Sequence, residues 1–165
     1  MADKANHYLT ERIIDFLADI GLEVTRTEIH QPTVLPGISV VNGVILIDES
    51  RLIYPGDLLH EAGHLAVIPA QNRKQAGANV GRKASDEMMA IAWSYAASVH
   101  LGLEPSVVFH QDGYRGGSKA IIENFTDGRY VGVSTLQWIG LTTDQKQARE
   151  MGIRPYPNMI KWVLE

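Results

Sequence analysis

The first regular pattern along the chain is a stripe of apolar residues spaced three and four positions apart. Its members are Leu9, Ile13, Phe16, Leu17 and Ile20. This spacing places them on one face of an amphipathic helix, and Gly21 offers that helix an end. The pattern predicts that the chain opens with a helix packed against a core.

A change of period after this helix predicts strands. β-branched residues favour a short strand within 24–30. The apolar segments Ile38–Val41 and Val44–Ile47 flank Asn42 and Gly43, the dipeptide that most readily forms a tight hairpin turn. Because 44–47 is apolar at every position, we expect both faces of that strand to be covered.

A longer helix is predicted to follow the hairpin. Pro55 and Asp57 suit a first helical turn, because proline presets φ and the carboxylate lies near the positive end of the helix dipole. The helical pattern continues to about Ile68. The polar stretch 70–83 has no acidic residue and is expected to form a solvated loop.

A second long helix is predicted from Ser85, a favourable N-cap, to His100, where Gly102 and Pro105 mark an end. Beyond residue 118 two or three short helices are expected. Two pairs there have the capping-box spacing, namely Ser134 with Gln137 and Thr142 with Gln145.

Composition narrows the class of protein. A chain of 165 residues with 45% hydrophobic residues has the size and apolar content of a single domain, residues 1–165. A net charge of −4 argues against direct binding of nucleic acid. The chain has no cysteine, which fits a reducing cytoplasm and excludes thiolate ligands. No signal peptide or membrane-spanning stretch is recognisable.

The strongest chemical signal is the run HEAGH at 60–64. On an α-helix His64 lies about 40° around the axis from His60, so the two imidazoles share a face. Two neutral imidazoles one turn apart can bind Zn²⁺, while the carboxylate of Glu61 is placed to hold a water molecule. We therefore predict a zinc ion on His60 and His64, with Glu61 as the general base.

Catalytic zinc usually has three protein ligands and one open position. Glu87, at the start of the second long helix, is the best candidate for the third ligand. Asp86 is the alternative, because it could ligate in place of Glu87 or orient a zinc-bound histidine. Both carboxylates also lie where first-turn acids simply favour the helix dipole.

Hydrolysis of a peptide bond also calls for a donor to the carbonyl oxygen, which gains negative charge. The chemically suited residues are His110, Tyr114, Arg115 and Tyr95, and the sequence places none of them. The glycine-rich stretch 112–119 departs from the nucleotide-binding pattern because Ser118 precedes Lys119. We expect it to form a flexible loop over the active site.

The strand VILID, the HEAGH run and a glutamate some twenty residues later together resemble the gluzincin-type metallopeptidases, in particular the ImmA/IrrE family. The resemblance covers roughly residues 38–105. It implies an α+β, zincin-like fold, in which a small, mostly antiparallel sheet packs on two zinc-bearing helices and further short helices follow. It also implies a cytoplasmic protease that cleaves a regulatory protein, such as a helix-turn-helix repressor.

A second hypothesis is a non-catalytic metal-binding interaction protein, in which the same frame serves as a scaffold for a partner. Zinc binding alone does not require Glu61, so the presence of this glutamate favours the enzyme. The two hypotheses differ in what they predict for a variant that lacks this carboxylate.

Overall fold

The computed structural model describes residues 2–77 and 83–165 and has an α+β architecture, as predicted. The α-helices of the described part are α1 (Ala2–Asp19), α2 (Asp57–Ala66), α3 (Ala70–Arg73), α4 (Ala84–His100), α5 (Ser118–Thr126), α6 (Val133–Trp138) and α7 (Gln145–Met151). The strands are β1 (Val24–Arg26), β2 (Ile38–Val41) and β3 (Val44–Ile47). Two 3₁₀ turns cover Pro105–Val107 and Tyr114–Gly116.

The predicted hairpin is confirmed. Strands β2 and β3 pair antiparallel, and the turn residues Asn42 and Gly43 have φ values of 52° and 79°. Positive φ at both central positions is what a tight hairpin turn requires, and asparagine and glycine tolerate it best. Sheet pairing at this turn therefore follows directly from the sequence.

The sheet is mixed rather than mostly antiparallel. Its order is β1-β3-β2, and β1 runs parallel to β3. After β1 the chain runs over 27–37 to the opposite edge of the sheet, where it forms β2. Strand β3 then lies between β1 and β2. Strand β2 is consequently an edge strand, with one side of its backbone unpaired within the sheet.

Strand β1 ends at Arg26, before the predicted limit of 30. The backbone N–H of Thr27 still donates to the carbonyl of Ile47 at 2.9 Å, and beyond it side chains replace the strand as hydrogen-bond partners. The backbone N–H of Ile29 donates to the Asp48 carboxylate at 3.0 Å, and the Arg51 guanidinium donates to the carbonyl of Gln31 at 3.2 Å. These contacts hold the segment 27–35 beside the sheet without making it a strand.

Only one face of β3 is fully covered, contrary to the expectation for an all-apolar strand. Ile45 and Ile47 are fully buried, whereas Val44 and Leu46 are half-buried. Leu46 lines a groove between β2 and the segment 27–35. Hydrophobicity alone did not reveal that this second face borders a cavity.

The predicted loop 70–83 is partly helical, because α3 occupies its first residues, while 78–82 lie outside the described residues. Arg73 donates to the carbonyls of Leu65 and Ile68 at 2.9 and 3.0 Å, where α2 ends. It thus satisfies carbonyls that a helix end leaves unpaired. Arg73 therefore stabilises the end of α2, a structural role that the polar pattern of 70–83 did not predict.

The later helices agree with prediction in number but differ in their caps. Lys83 rather than Ser85 precedes α4, and Gly132 rather than Ser134 precedes α6. Asp144 rather than Thr142 caps α7, and its carboxylate accepts from the backbone N–H of Gln147 at 2.8 Å. None of the helices in residues 2–77 and 83–165 is long and apolar enough to cross a membrane.

Candidate metal centre

Helix α2 carries the predicted ligands on a face directed at α4. The helix is buried along most of its length, so its apolar residues lock its rotation against the core. The side chains of His60 and His64 are only 12% and 5% exposed. Their ring nitrogens therefore meet a neighbouring helix rather than solvent.

A close approach of two backbones brings α2 and α4 together. A Cβ atom on Gly63 would lie 2.9 Å from the carbonyl oxygen and 3.2 Å from the Cα of Ala90. Glycine inside a helix costs roughly 1 kcal/mol relative to alanine, and this contact is the packing reason for that cost. Gly63 therefore allows α2 and α4 to approach each other closely.

Three ligand atoms converge between these helices. The Nε2 atoms of His60 and His64 are 3.1 Å apart, and the Glu87 carboxylate oxygens lie 3.5 Å from the first and 3.2 Å from the second. Ligands at about 2.0–2.1 Å from a tetrahedral ion are separated by about 3.3–3.4 Å. The donor set of two imidazoles and one carboxylate therefore fits a zinc ion in both chemistry and spacing.

The alternative ligand Asp86 is not part of this cluster. Its carboxylate accepts from the Ser85 hydroxyl at 3.4 Å on the exposed side of α4. One residue further along the helix, Glu87 turns inward. The geometry thus favours Glu87 as the third ligand, and Asp86 makes no contact with either histidine in the described residues.

Burial keeps His60 free of a proton at neutral pH. Burial and the neighbouring His64 lower the pKa of His60 to about 4, against an opposing effect of Glu87. Burial works to raise the pKa of Glu87, but its hydrogen bond to His64 and the two imidazoles outweigh this and lower it. At neutral pH the site presents an uncharged His60 and a carboxylate, the forms that bind a metal ion.

Glu61 is not one of the ligand group and borders a groove beside it. Burial raises its pKa against the opposing effect of His64, and the charges of Glu87 and Asp57 act in the same direction as burial. The groove has a volume of about 460 Å³ and is bounded by β2, the segment 27–35 and Glu61. The carboxylate thus lies where a bound peptide and a water molecule can both reach it.

Two of the four candidate oxyanion donors lie beside the centre. The Tyr114 ring contacts His60 with a centroid distance of 5.3 Å, and its hydroxyl is buried without a hydrogen-bond partner in the described residues. Arg115 is exposed, and its charge lowers the pKa of Glu87.

The other two candidates are otherwise engaged. The imidazole Nε2 of His110 lies 3.0 Å from the Asp57 carboxylate. Tyr95 packs on Phe125 in a separate aromatic cluster with Tyr156, at ring distances of 4.8 and 6.4 Å. Of the four, Tyr114 is the one whose ring contacts a ligand histidine and whose buried hydroxyl lacks a hydrogen-bond partner in the described residues.

Asp57 is a site residue that sequence reasoning missed. The sequence suggested only a helix-dipole role for it, yet its side chain is 5% exposed and pairs with His110 across 53 positions of chain. Burial raises its pKa, against the lowering effect of that histidine. Asp57 lies four positions before Glu61, and this spacing was the one sequence signal that placed the two carboxylates on the same face of α2.

A second histidine–carboxylate group lies on the surface. His7, Glu11 and Glu49 also offer ligand atoms within 4.8 Å of one another. Here Arg26 already pairs with both carboxylates, donating through Nε to Glu49 at 2.5 Å. A cation would have to displace that guanidinium, so the buried group is the better metal site.

Comparisons with known proteins add no relative to this picture. The chain matches no protein-family model, and neither curated proteins nor solved structures gave a match. The resemblance to the ImmA/IrrE family therefore rests on the HEAGH run, the preceding strand and Glu87.

Proposed function

We propose that this protein is a metal-dependent peptidase of zincin-like architecture, with Zn²⁺ held by His60, His64 and Glu87. The observation that carries the proposal is the convergence of three buried or half-buried ligand residues, whose ligand atoms lie 3.1–3.5 Å apart, with the acidic Glu61 on the same helix but outside the ligand group. This ligand set with one open position is typical of catalytic rather than structural zinc.

The metal would act as a Lewis acid and make a water molecule acidic near neutral pH. Glu61 would accept a proton from the attacking water as general base and return it to the leaving amine as general acid. The raised pKa of Glu61 suits both halves of this transfer, because a carboxylate that is too weak a base would not hold the proton.

Tyr114 supplies the second donor to the carbonyl oxygen in this mechanism. Burial, together with the charges of Asp57, Glu87 and Glu61, raises its pKa well above its ordinary value. The phenol therefore stays protonated and donates a hydrogen bond rather than acting as an anion. A fixed donor at the developing negative charge is the usual source of transition-state stabilisation.

The groove beside β2 would take the substrate as an extended segment. An edge strand presents unpaired N–H and C=O groups that an extended peptide can pair with. The groove also contains half-buried apolar side chains, among them Leu35 and Leu46. A flexible segment of a regulatory protein fits these requirements, and the ImmA/IrrE resemblance points to a cytoplasmic helix-turn-helix repressor.

The replacement Glu61→Gln tests the function, because it keeps the shape of the side chain and removes the base. We expect unchanged zinc content and a fall in turnover of about 10²–10⁴-fold. The assay uses zinc-loaded protein with a quenched-fluorescence library of unstructured peptides.

Glu104→Gln, on an exposed turn, is the matched control and should keep full activity. Equal turnover in wild type and Glu61→Gln would contradict a peptidase that uses this base. A protein that binds zinc but cleaves nothing would instead support the scaffold hypothesis.

A further inference from the structure

The loop 110–117 packs against the imidazole ring of His110, its own first residue. One face of the ring stacks on Tyr54 at a centroid distance of 3.6 Å and an interplanar angle of 9°. Gly113 packs against the ring as well, since a Cβ there would lie 3.1 Å from Cε1 and 3.2 Å from Nε2. The His110 ring is thus packed between Tyr54 and the loop, and supports the loop at Gly113.

Hydrogen bonds close the loop on this same residue. The backbone carbonyl of His110 accepts from the N–H of Gly113 at 3.1 Å and from the hydroxyl of Ser118 at 2.6 Å. The Tyr54 hydroxyl donates to the Asp112 carboxylate. Both the ring and the backbone of His110 therefore fix the path of the chain up to Tyr114.

That path is conformationally costly. Tyr114 and Arg115 both have left-handed backbones, with φ values of 54° and 52°, and Gly116 follows at 82°. Consecutive non-glycine residues in this region persist only where the surroundings impose them. The result of the unusual path is that the Tyr114 ring packs on His60 and Phe109, with its hydroxyl buried and unpaired.

A hydrogen bond from His110 to Asp57 connects the loop to α2, the helix that carries His60 and His64. The Asp57 carboxylate lies in the first turn of α2, one turn before His60, and is 3.0 Å from Nε2 of His110. The two side chains are 5% and 11% exposed, so water competes little for the bond. Asp57 is not one of the metal-ligating group, and its hydrogen-bonded partner is His110.

His110 itself is poorly placed to act on a substrate. Its Nε2 is taken by Asp57, and its Nδ1 is buried without a partner in the described residues. Stacking on Tyr54 and packing of Gly113 also fix the ring. These contacts suit a support for the loop rather than a donor that must follow a reacting atom.

We propose that Asp57 is a positioning residue that acts through His110, setting the loop 110–117 so that the Tyr114 hydroxyl points at the metal ligands. The inference rests on the proposed function, since Tyr114 is the oxyanion donor of that mechanism. It predicts that Asp57 matters to turnover only as long as the Tyr114 hydroxyl is present.

The test combines Asp57→Ala, Asp57→Asn and Tyr114→Phe with the Asp57→Ala/Tyr114→Phe double variant, all in the full chain. The first readout is ¹⁹F NMR of metal-free protein labelled with 3-fluorotyrosine. The Tyr114 resonance is identified by its absence in Tyr114→Phe, and that of exposed Tyr8 gives the solvent reference. Asp57→Ala should move the Tyr114 resonance towards this reference, whereas Asp57→Asn, which can still accept from Nε2–H, should largely retain it.

The second readout is turnover of the zinc-loaded variants. Asp57→Ala should lower turnover by about as much as Tyr114→Phe, and the double variant should lose no more than twofold beyond Tyr114→Phe alone. Asp144→Ala, which removes a cap of α7, is the matched control and should change neither readout. If Asp57→Ala fails to fold, His110→Gln removes the ring while leaving Asp57 and should release Tyr114 in the same way.

An unmoved Tyr114 resonance in a folded Asp57→Ala or His110→Gln protein would overturn the inference. So would equal losses from Asp57→Ala in the wild-type and Tyr114→Phe backgrounds. An inactive wild type whose Tyr114 resonance still depends on Asp57 would instead overturn the proposed function, while the link from Asp57 to Tyr114 would stand.

Discussion

At the scale of the residue, burial decides which protonation states the candidate centre offers. His60 and His64 lie one helical turn apart in a site with little solvent, and Glu87 completes the group from a second helix. An imidazole that is hard to protonate is available to a metal ion at any pH where the protein is folded. The same burial should make the metal-free protein less stable at acidic pH.

The pKa of His60 leads to a prediction for the metal-free protein. It falls from 6.5 in the unfolded chain to about 4 in the fold, so between these pH values the unfolded chain binds more protons. The free energy of unfolding should therefore fall as pH drops from about 6.5 to about 4, by about 3 kcal/mol for this group. Urea unfolding at a series of pH values measures the effect.

His60→Gln isolates that contribution. In His60→Gln the decrease in the free energy of unfolding with falling pH should be smaller by about 3 kcal/mol. In His30→Gln, at an exposed histidine, that decrease should be as large as in the wild type. Identical pH profiles for wild type and His60→Gln would contradict burial of a neutral imidazole at this position.

At the scale of the element, the contact between α2 and α4 sets the distance from the two histidines to Glu87. Gly63 makes that contact possible, because Ala90 backbone atoms occupy the space of its missing Cβ. Backbone atoms in packed helices move only if the helices move. The spacing of the metal ligands is therefore coupled to a single glycine that is not itself a ligand.

Gly63→Ala should widen the helix pair. Overpacking costs typically about 1–3 kcal/mol, and the helix propensity of alanine returns about 1 kcal/mol, so we expect a modest net loss of stability. The larger effect should be on zinc affinity, with a loss of about tenfold or more as Glu87 moves away. Zinc titration and denaturant unfolding measure the two effects separately.

Gly77→Ala serves as the control for that substitution. Its nearest neighbour would be the Val40 carbonyl at 3.9 Å, an ordinary contact, so stability and zinc affinity should stay at wild-type values. A Gly63→Ala protein that binds zinc as tightly as wild type would show that the helix contact does not set the site.

At the scale of the whole molecule, local signals in the sequence predicted local structure well. Asn42 and Gly43 specified the hairpin, and the apolar stripe around Ile13 and Leu17 specified α1. The HEAGH run predicted a shared face for its two histidines for the same reason, since a helical period is a local property. These features depend on neighbours within a few positions.

Features that depend on distant pairings were not predictable in this way. The parallel register of β1 follows from where β3 inserts, and the end of β1 follows from the Asp48 and Arg51 contacts. The link between Asp57 and His110 joins positions far apart in the chain, and no local pattern pairs the two residues. Tyr114 was one of four candidates, and only the path of its loop separates it from the others.

The central claim is that a metal ion binds between His60, His64 and Glu87. Anomalous scattering from crystals of the zinc-loaded protein, recorded at the zinc absorption edge, tests it most directly. We expect one strong peak at about 2.0–2.2 Å from Nε2 of each histidine and from a Glu87 carboxylate oxygen. A peak at the surface group of His7, Glu11 and Glu49 instead, or no peak between α2 and α4, would contradict the account.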